Sequence, residues 1–377
     1  MMDTLLYFCK GCRNYGNNNS KAIFAGYKYN PTAMAQELKP HKTDDLLRVA
    51  RHYTLTSNFL HLLDFCSRMR HLSPYNAMLA WFQNPNASLL LSAPDWHTHG
   101  CTLKESARAT VIFMPFCPGE YLFDQTAVDI LNPPLIGGDQ DYFERIRSQI
   151  LPPLYNDVPS LWNNLRNNIA LDGISVDLHY DNQPDYNVIQ PVGQESKHTV
   201  KIVIQGASKP VQSPAFYHLL LGNPGWGDES DKSNSTDTRI GTLILQLSRI
   251  YCHHHPAPDG REWAQRHLSQ TATQFESMSV LKLVTDHFGI SQPTDYFSTY
   301  IASNTYIPKS VSMDTIMSAA GRIIQMATNR RLPFQNGLLY RLSKDFQSKV
   351  TRIKNKKRRA AAAAATLQEY PIIPGFE

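Results

Sequence analysis

The chain has 377 residues, 42% hydrophobic and 10% aromatic, with 37 basic and 32 acidic side chains. This composition excludes a globally disordered chain, and the length favours two domains over a single core. Apolar runs fall short of the roughly 18–20 residues that span a bilayer, so no membrane partner is expected.

The start, "MMDTLLYFCKGCRN", lacks the basic and then apolar layout of a signal peptide. The six cysteines are scattered, as reduced thiols in a cytoplasm would be, and a cytoplasmic location is expected. Cys9 and Cys12 form the one CxxC, with no second pair to complete a zinc ribbon. The positive charge is concentrated at the end. "KVTRIKNKKRR" from Lys349 holds seven basic residues, opposed only by Glu369 and Glu377, which leaves thirty of each sign in residues 1–348. Attraction to a polyanion would originate there, at Lys354, Lys356, Lys357, Arg358 and Arg359 among others.

Residues 1–43 read as an irregular segment. From Asp44 a three- and four-residue apolar spacing predicts a helix through "DDLLRVARHYTLTSNFLHLLDFCSRMRH". In "SPYNAMLAWFQNP", Ser73 caps a second helix, Pro74 opens its first turn and Asn84-Pro85 end it. Strands are predicted at "SLLLSA", "ATVIFMPF" and "EYLFD". A connector over 131–158 then leads to a helix at "LWNNLRNNIALDG" and strands at "ISVDLHY", "YNVIQPV" and "HTVKIVIQ". Four helices follow, at Arg239–Tyr251, Thr271–Phe288, Thr294–Ser303 and Met313–Thr328, the last capped by Ser312. The fold class is α+β.

The segment from Ser73 to Asp124 resembles the N-terminal, single-stranded-DNA-binding domain of ArdC-type antirestriction proteins of mobile elements. The matching elements, in order, are Tyr75-Asn76, Gln83-Asn84-Pro85, Trp96 with Gly100, Arg108, and Val111–Pro115. The later block resembles the gluzincin-type, zincin-like peptidase domain of the same family. It does so at Thr242-Leu243, Cys252, Trp263, Arg266, Phe275-Glu276, Ser279-Val280 and Gly289-Ile290. The resemblance implies an ArdC-like domain over 44–130, a degenerate zincin-like domain over 159–330 and a basic tail over 331–377.

An HExxH helix works because histidines four apart share a face and reach one zinc, with the glutamate between them as base. Here the histidine positions hold Leu245 and Arg249, and the base position holds Gln246. Leucine has no lone pair, arginine repels a cation, and glutamine takes no proton. Only Glu276 remains of the family's set, so no metal, no cofactor and no catalytic residue is expected. His253, His254 and His255 follow Cys252 but point about 100° apart on a helix, so they are expected to end it rather than to chelate. In the emptied pocket, Arg249 is expected to pair with Glu276.

Single strands are held by aromatic platforms beside positive charge. Tyr75, Trp81, Phe82 and Trp96 supply rings, Arg68, Arg70, Lys104 and Arg108 supply charge, and Asn76 and Gln83 supply amides. The expected protein is a nucleic-acid-binding pseudoenzyme of an antirestriction or anti-phage system, with single-stranded DNA or another nucleic acid, and a protein of the same system, as partners. Two other readings stay open at this point: a protein-interaction scaffold without DNA contact, and a metallopeptidase with an atypical metal site that uses Cys252 and His253–His255.

Overall fold

The computed structural model describes residues 52–114, 117–131, 138–151, 158–179, 188–191, 198–202, 211–222, 232–256, 265–290, 296–328 and 355. The expected features in residues 1–51, Trp263 and the tail residues Lys354, Lys356, Lys357, Arg358 and Arg359 lie outside these. The described residues mix helix and strand, as an α+β chain does. They divide into two compact units that do not follow chain order. One comprises Met1–Asn156, Leu247–Ala257 and Trp263–Ile324; the other comprises Asp157–Gln246, Pro258–Glu262 and Gln325–Glu377.

Among the described residues, the first α-helices of the first unit are α1 (Thr56–Arg68) and α2 (Pro74–Gln83). Ser73 Oγ accepts from Asn76 N–H and Pro74 occupies the first turn, as the local sequence dictates. β1 (Leu90–Ser92) leads into α3 (Ala93–Thr98), then β2 (Cys101–Leu103), β3 (Thr110–Met114), β4 (Cys117–Asp124) and β5 (Val128–Ile130). The sheet order is β1-β4-β3, antiparallel throughout, and β2 pairs with β5. The expected connector contains a helix, α4 (Asp139–Ile150). Its Tyr142, Phe143, Ile146 and Ile150 pack onto Trp96, Leu89, Leu91 and Val128, so α4 closes the core of this unit.

Further along the chain, α5 (Val158–Ile169), α6 (Lys232–Tyr251), α7 (Gln270–Phe288), α8 (Tyr296–Ser303) and α9 (Met313–Thr328) complete the helices. Within the first unit, α7 lies against α1. Phe59 meets Phe275 at 4.9 Å between ring centroids, and Phe275 meets Tyr300 of α8 at 4.9 Å. At the rim of that contact, Lys282 bridges Asp64 (3.0 Å) and Asp286 (2.8 Å).

The second unit carries β6 (Ile174–His179), β7 (Val188–Pro191), β8 (Thr199–Ile202), β9 (Val211–Pro214) and β10 (Tyr217–Gly222). β10 is central, parallel to β6 and antiparallel to β7, while β8 and β9 pair with each other. Gly173 enters β6 with φ +73°, where a Cβ would lie 2.5 Å from the Phe216 ring, so only glycine fits that turn. In this unit Asn164 and Asn168 of α5 donate to the carbonyls of Ala327 and Met326, which satisfies two terminal acceptors of α9.

Candidate functional site

The "YCHHHP" stretch resolves into a turn. α6 ends at Tyr251, and His253 takes the left-handed conformation with φ 62°. His253 N–H donates to Ile250 O (3.0 Å) and His254 N–H to Arg249 O (2.9 Å), the paired bonds of a Schellman motif. Glycine usually takes that position; here the chain reverses at a histidine, and His254 turns into the core.

There it meets Glu276, which is fully buried on α7. Arg266 grips the carboxylate with both arms, NH1 to Oε2 at 2.7 Å and NH2 to Oε1 at 2.8 Å. His254 Nε2 lies 2.8 Å from Oε2, and the Ser312 N–H donates to Oε1 at 2.8 Å. A carboxylate has about four lone-pair sites, and each is met by a donor. Arg266 is held in turn by the Cys252 carbonyl (3.2 Å) and the Ser310 carbonyl (3.3 Å). Ser312 caps α9, its Oγ accepting from Thr315 N–H at 3.2 Å.

The cation on Glu276 is therefore Arg266, and the expected Arg249–Glu276 pair is corrected. Leu245 and Arg249 share a half-buried stripe of α6, while Gln246 is buried. Burial lowers the Arg249 pKa, yet its guanidinium is not among the donors to Glu276. Cys252, His254 and Glu276 have ligand atoms within 4.8 Å of one another, the grouping a metal would need. That set does not fit an ion: the Glu276 lone pairs are engaged, and burial, then the Glu276 charge, push the Cys252 thiol well above its ordinary range.

The residues expected to bind nucleic acid divide sharply. Trp96 is fully buried, donates Nε1–H to Phe123 O at 2.8 Å and packs edge-on against Phe143. Trp81 is buried too, with its indole donating to His61 Nδ1 at 3.2 Å. Neither ring can stack on a base, which corrects both assignments. Asn76 and Gln83 are both engaged within the fold. Seven residues apart, they share one face of α2 and clamp the outer edge of β3. The Asn76 amide bonds both Phe113 N–H (3.3 Å) and Phe113 O (2.9 Å); the Gln83 amide bonds both Val111 N–H and Val111 O (2.8 Å each). The two side chains act as a substitute strand and close an edge that would otherwise invite pairing. Tyr75 is half-buried, and Arg108 is exposed. Lys104 is tied to Thr126 O at 2.9 Å and lies 3.8 Å from Asp129.

Sequence reasoning missed the aromatic face that does exist. Strand alternation puts Thr110, Ile112 and Leu122 inside and sends Val111, Phe113 and Tyr121 outward. Val111 sits directly opposite Tyr121 across β3 and β4. Phe113 is 48% and Tyr121 63% exposed. A Cβ on Gly119 would come within 3.2 Å of Val111 Cγ1, so the glycine keeps this face low between the rings. The signal in the sequence was "TVIFM", a strand apolar on both faces although it lies at a sheet edge. Among the described residues, no helix is long and apolar enough to cross a membrane. No protein-family model, curated protein or solved structure matches the chain.

Proposed function

We propose that the protein is a non-hydrolytic, single-stranded-nucleic-acid-binding member of an antirestriction or anti-phage system, built as an ArdC-like domain with a degenerate zincin-like domain and a basic tail. One observation carries the reading: Phe113 and Tyr121 present two exposed rings on one face of the antiparallel β3–β4 pair. Solvent-facing rings on a sheet are the platform that stacks bases without regard to sequence, and the nearby chain offers the exposed Arg108 for phosphate. The absence of hydrolysis is supported by Leu245, Gln246 and Arg249 at the ligand and base positions and by the saturation of Glu276 with donors.

The test is fluorescence anisotropy of a labelled oligothymidylate titrated with the full chain. Stacked bases contribute roughly 1–3 kcal/mol each, so Phe113→Ala and Tyr121→Ala should each weaken binding by about 5-fold to 150-fold, with melting unchanged. Wild-type affinity in the double variant would refute the platform. The second reading, a protein-interaction scaffold, is favoured by Val111, an exposed aliphatic residue between the rings. It predicts no oligonucleotide binding by the wild-type chain.

A further inference from the structure

The second unit holds a cluster that the function above leaves unused. Ser175 and Asp177 lie on β6 and His218 on β10, and the parallel register sets Ser175 beside His218. His198, just before β8, stacks on His218 with ring centroids 3.8 Å apart and planes 19° from parallel. His218 is only 4% exposed, whereas Asp177 faces solvent.

Ser175 Oγ lies 2.9 Å from His218 Nδ1 and 3.3 Å from Tyr217 O, so it holds one edge of the imidazole. On the opposite edge, His218 Nε2 lies 3.8 Å from Asp177 Oδ2, longer than a direct hydrogen bond. An imidazole nitrogen and a carboxylate oxygen thus converge at a spacing that an ion coordinated by both would bridge.

We propose that Asp177, His198 and His218 form a binding site for a divalent transition-metal ion of the zinc class. Two imidazoles and one carboxylate are the donor set of open, water-accessible zinc and iron sites. Their ligand atoms already lie within 4.8 Å of one another. Bonds of about 2.0–2.2 Å bring such atoms to about 3.3 Å, so loading draws the set together and turns the His198 ring out of its stack. Ser175 orients His218 from behind, as an outer-shell partner does. The site is independent of the hairpin face and of Glu276, and it stands or falls without the nucleic-acid reading.

The experiment strips the full chain with chelator and titrates it with zinc alone against a chromogenic competitor, then with cobalt to record its visible spectrum. One ion per chain is expected, with a nitrogen–oxygen cobalt spectrum. Asp177→Asn and His198→Gln, both at positions that are not fully buried, should keep the far-ultraviolet dichroism and weaken zinc by at least the ~10–100-fold seen when outer-shell partners alone are removed. No zinc uptake, unchanged affinity in both variants, or a cobalt–thiolate band that places the ion at Cys252 would each overturn the proposal.

Discussion

Removing the guanidinium of Arg266 tests the Glu276 cluster most directly. Glu276 is fully buried and Arg266 nearly so, and together they make two charge-assisted bonds of 2.7 and 2.8 Å. Arg266→Ala strips two of the four donors from a carboxylate that cannot reach water. Breaking a buried pair from one side costs about 3–5 kcal/mol, because the remaining charge is left uncompensated. Arg266→Lys restores charge without the fork and should cost less, though not nothing. Glu276→Ala added to Arg266→Ala should recover part of the loss, with a coupling of about 1–3 kcal/mol. Arg249→Ala serves as the control and should cost less than Arg266→Ala, since its guanidinium is not among the donors to Glu276. The assay is urea unfolding followed by far-ultraviolet dichroism, with the shift sought in the transition of the first unit, because two units need not unfold together. A cost below about 1 kcal/mol for Arg266→Ala, or strict additivity with Glu276→Ala, would refute the reasoning.

Asn76→Ala should destabilise by about 1–3 kcal/mol, since it orphans the N–H and C=O of Phe113 beside a buried side chain; Gln83→Ala, at an exposed position where water replaces the amide, should cost less than about 1 kcal/mol, and equal costs in thermal melts would contradict the clamp. His287 is pushed down to about 4 from 6.5 by burial and then by the Arg70 charge. Its unfolded form therefore takes up a proton first, so the stability it contributes is complete above about 6.5 and is lost as pH falls toward 4; His287→Phe should flatten that part of the stability profile relative to wild type, and an unchanged slope would speak against it. Deleting residues 349–377 should reduce the salt dependence of oligonucleotide affinity by about 0.7 in slope for each phosphate the tail no longer neutralises, and an identical slope would assign the tail charge to solvent. His253→Gly should be neutral or stabilising by up to about 1 kcal/mol, because it relieves a left-handed residue without moving His254; clear destabilisation in melting would show that His253 has a further structural role.

What could be read from the sequence was local. Ser73 before Pro74, and Ser312 before "MDTIM", announce helix starts through side chains that bond three residues ahead, and both do so. β2 and β5, of three residues each, are too short for alternation to show. β10 hid because "YHLLLG" shows no polar–apolar alternation beyond His218, as suits a central strand paired on both edges. α4 hid between two proline pairs, with Ile146 its one buried residue. At the site, the structural use of Asn76 and Gln83 was hidden for a chemical reason. A carboxamide offers one acceptor and one donor group side by side, which matches the edge of a base and the edge of a strand equally well. Sequence cannot choose between them; only the position of β3 beside α2 does.

The same limit explains why Arg249 was expected on Glu276 and Arg266 was found there. Helical spacing places Leu245 and Arg249 on one stripe, and an ion held by that stripe would draw a third ligand toward it. In the structure Glu276 takes its cation from Arg266, and a buried carboxylate is best served by a guanidinium fork that arrives already oriented. Arg266 has that advantage. Its own N–H is fixed to His253 O at 2.8 Å, and NH1 to the Cys252 carbonyl, so the turn made by the histidines delivers the guanidinium already oriented. Two of the three histidines thus contribute, one through its backbone and one through its ring: His253 reverses the chain and its carbonyl anchors Arg266, and His254 supplies the fourth donor. A planar fork held at its base loses less entropy on binding a carboxylate than the Arg249 side chain would, reaching in from a half-buried stripe.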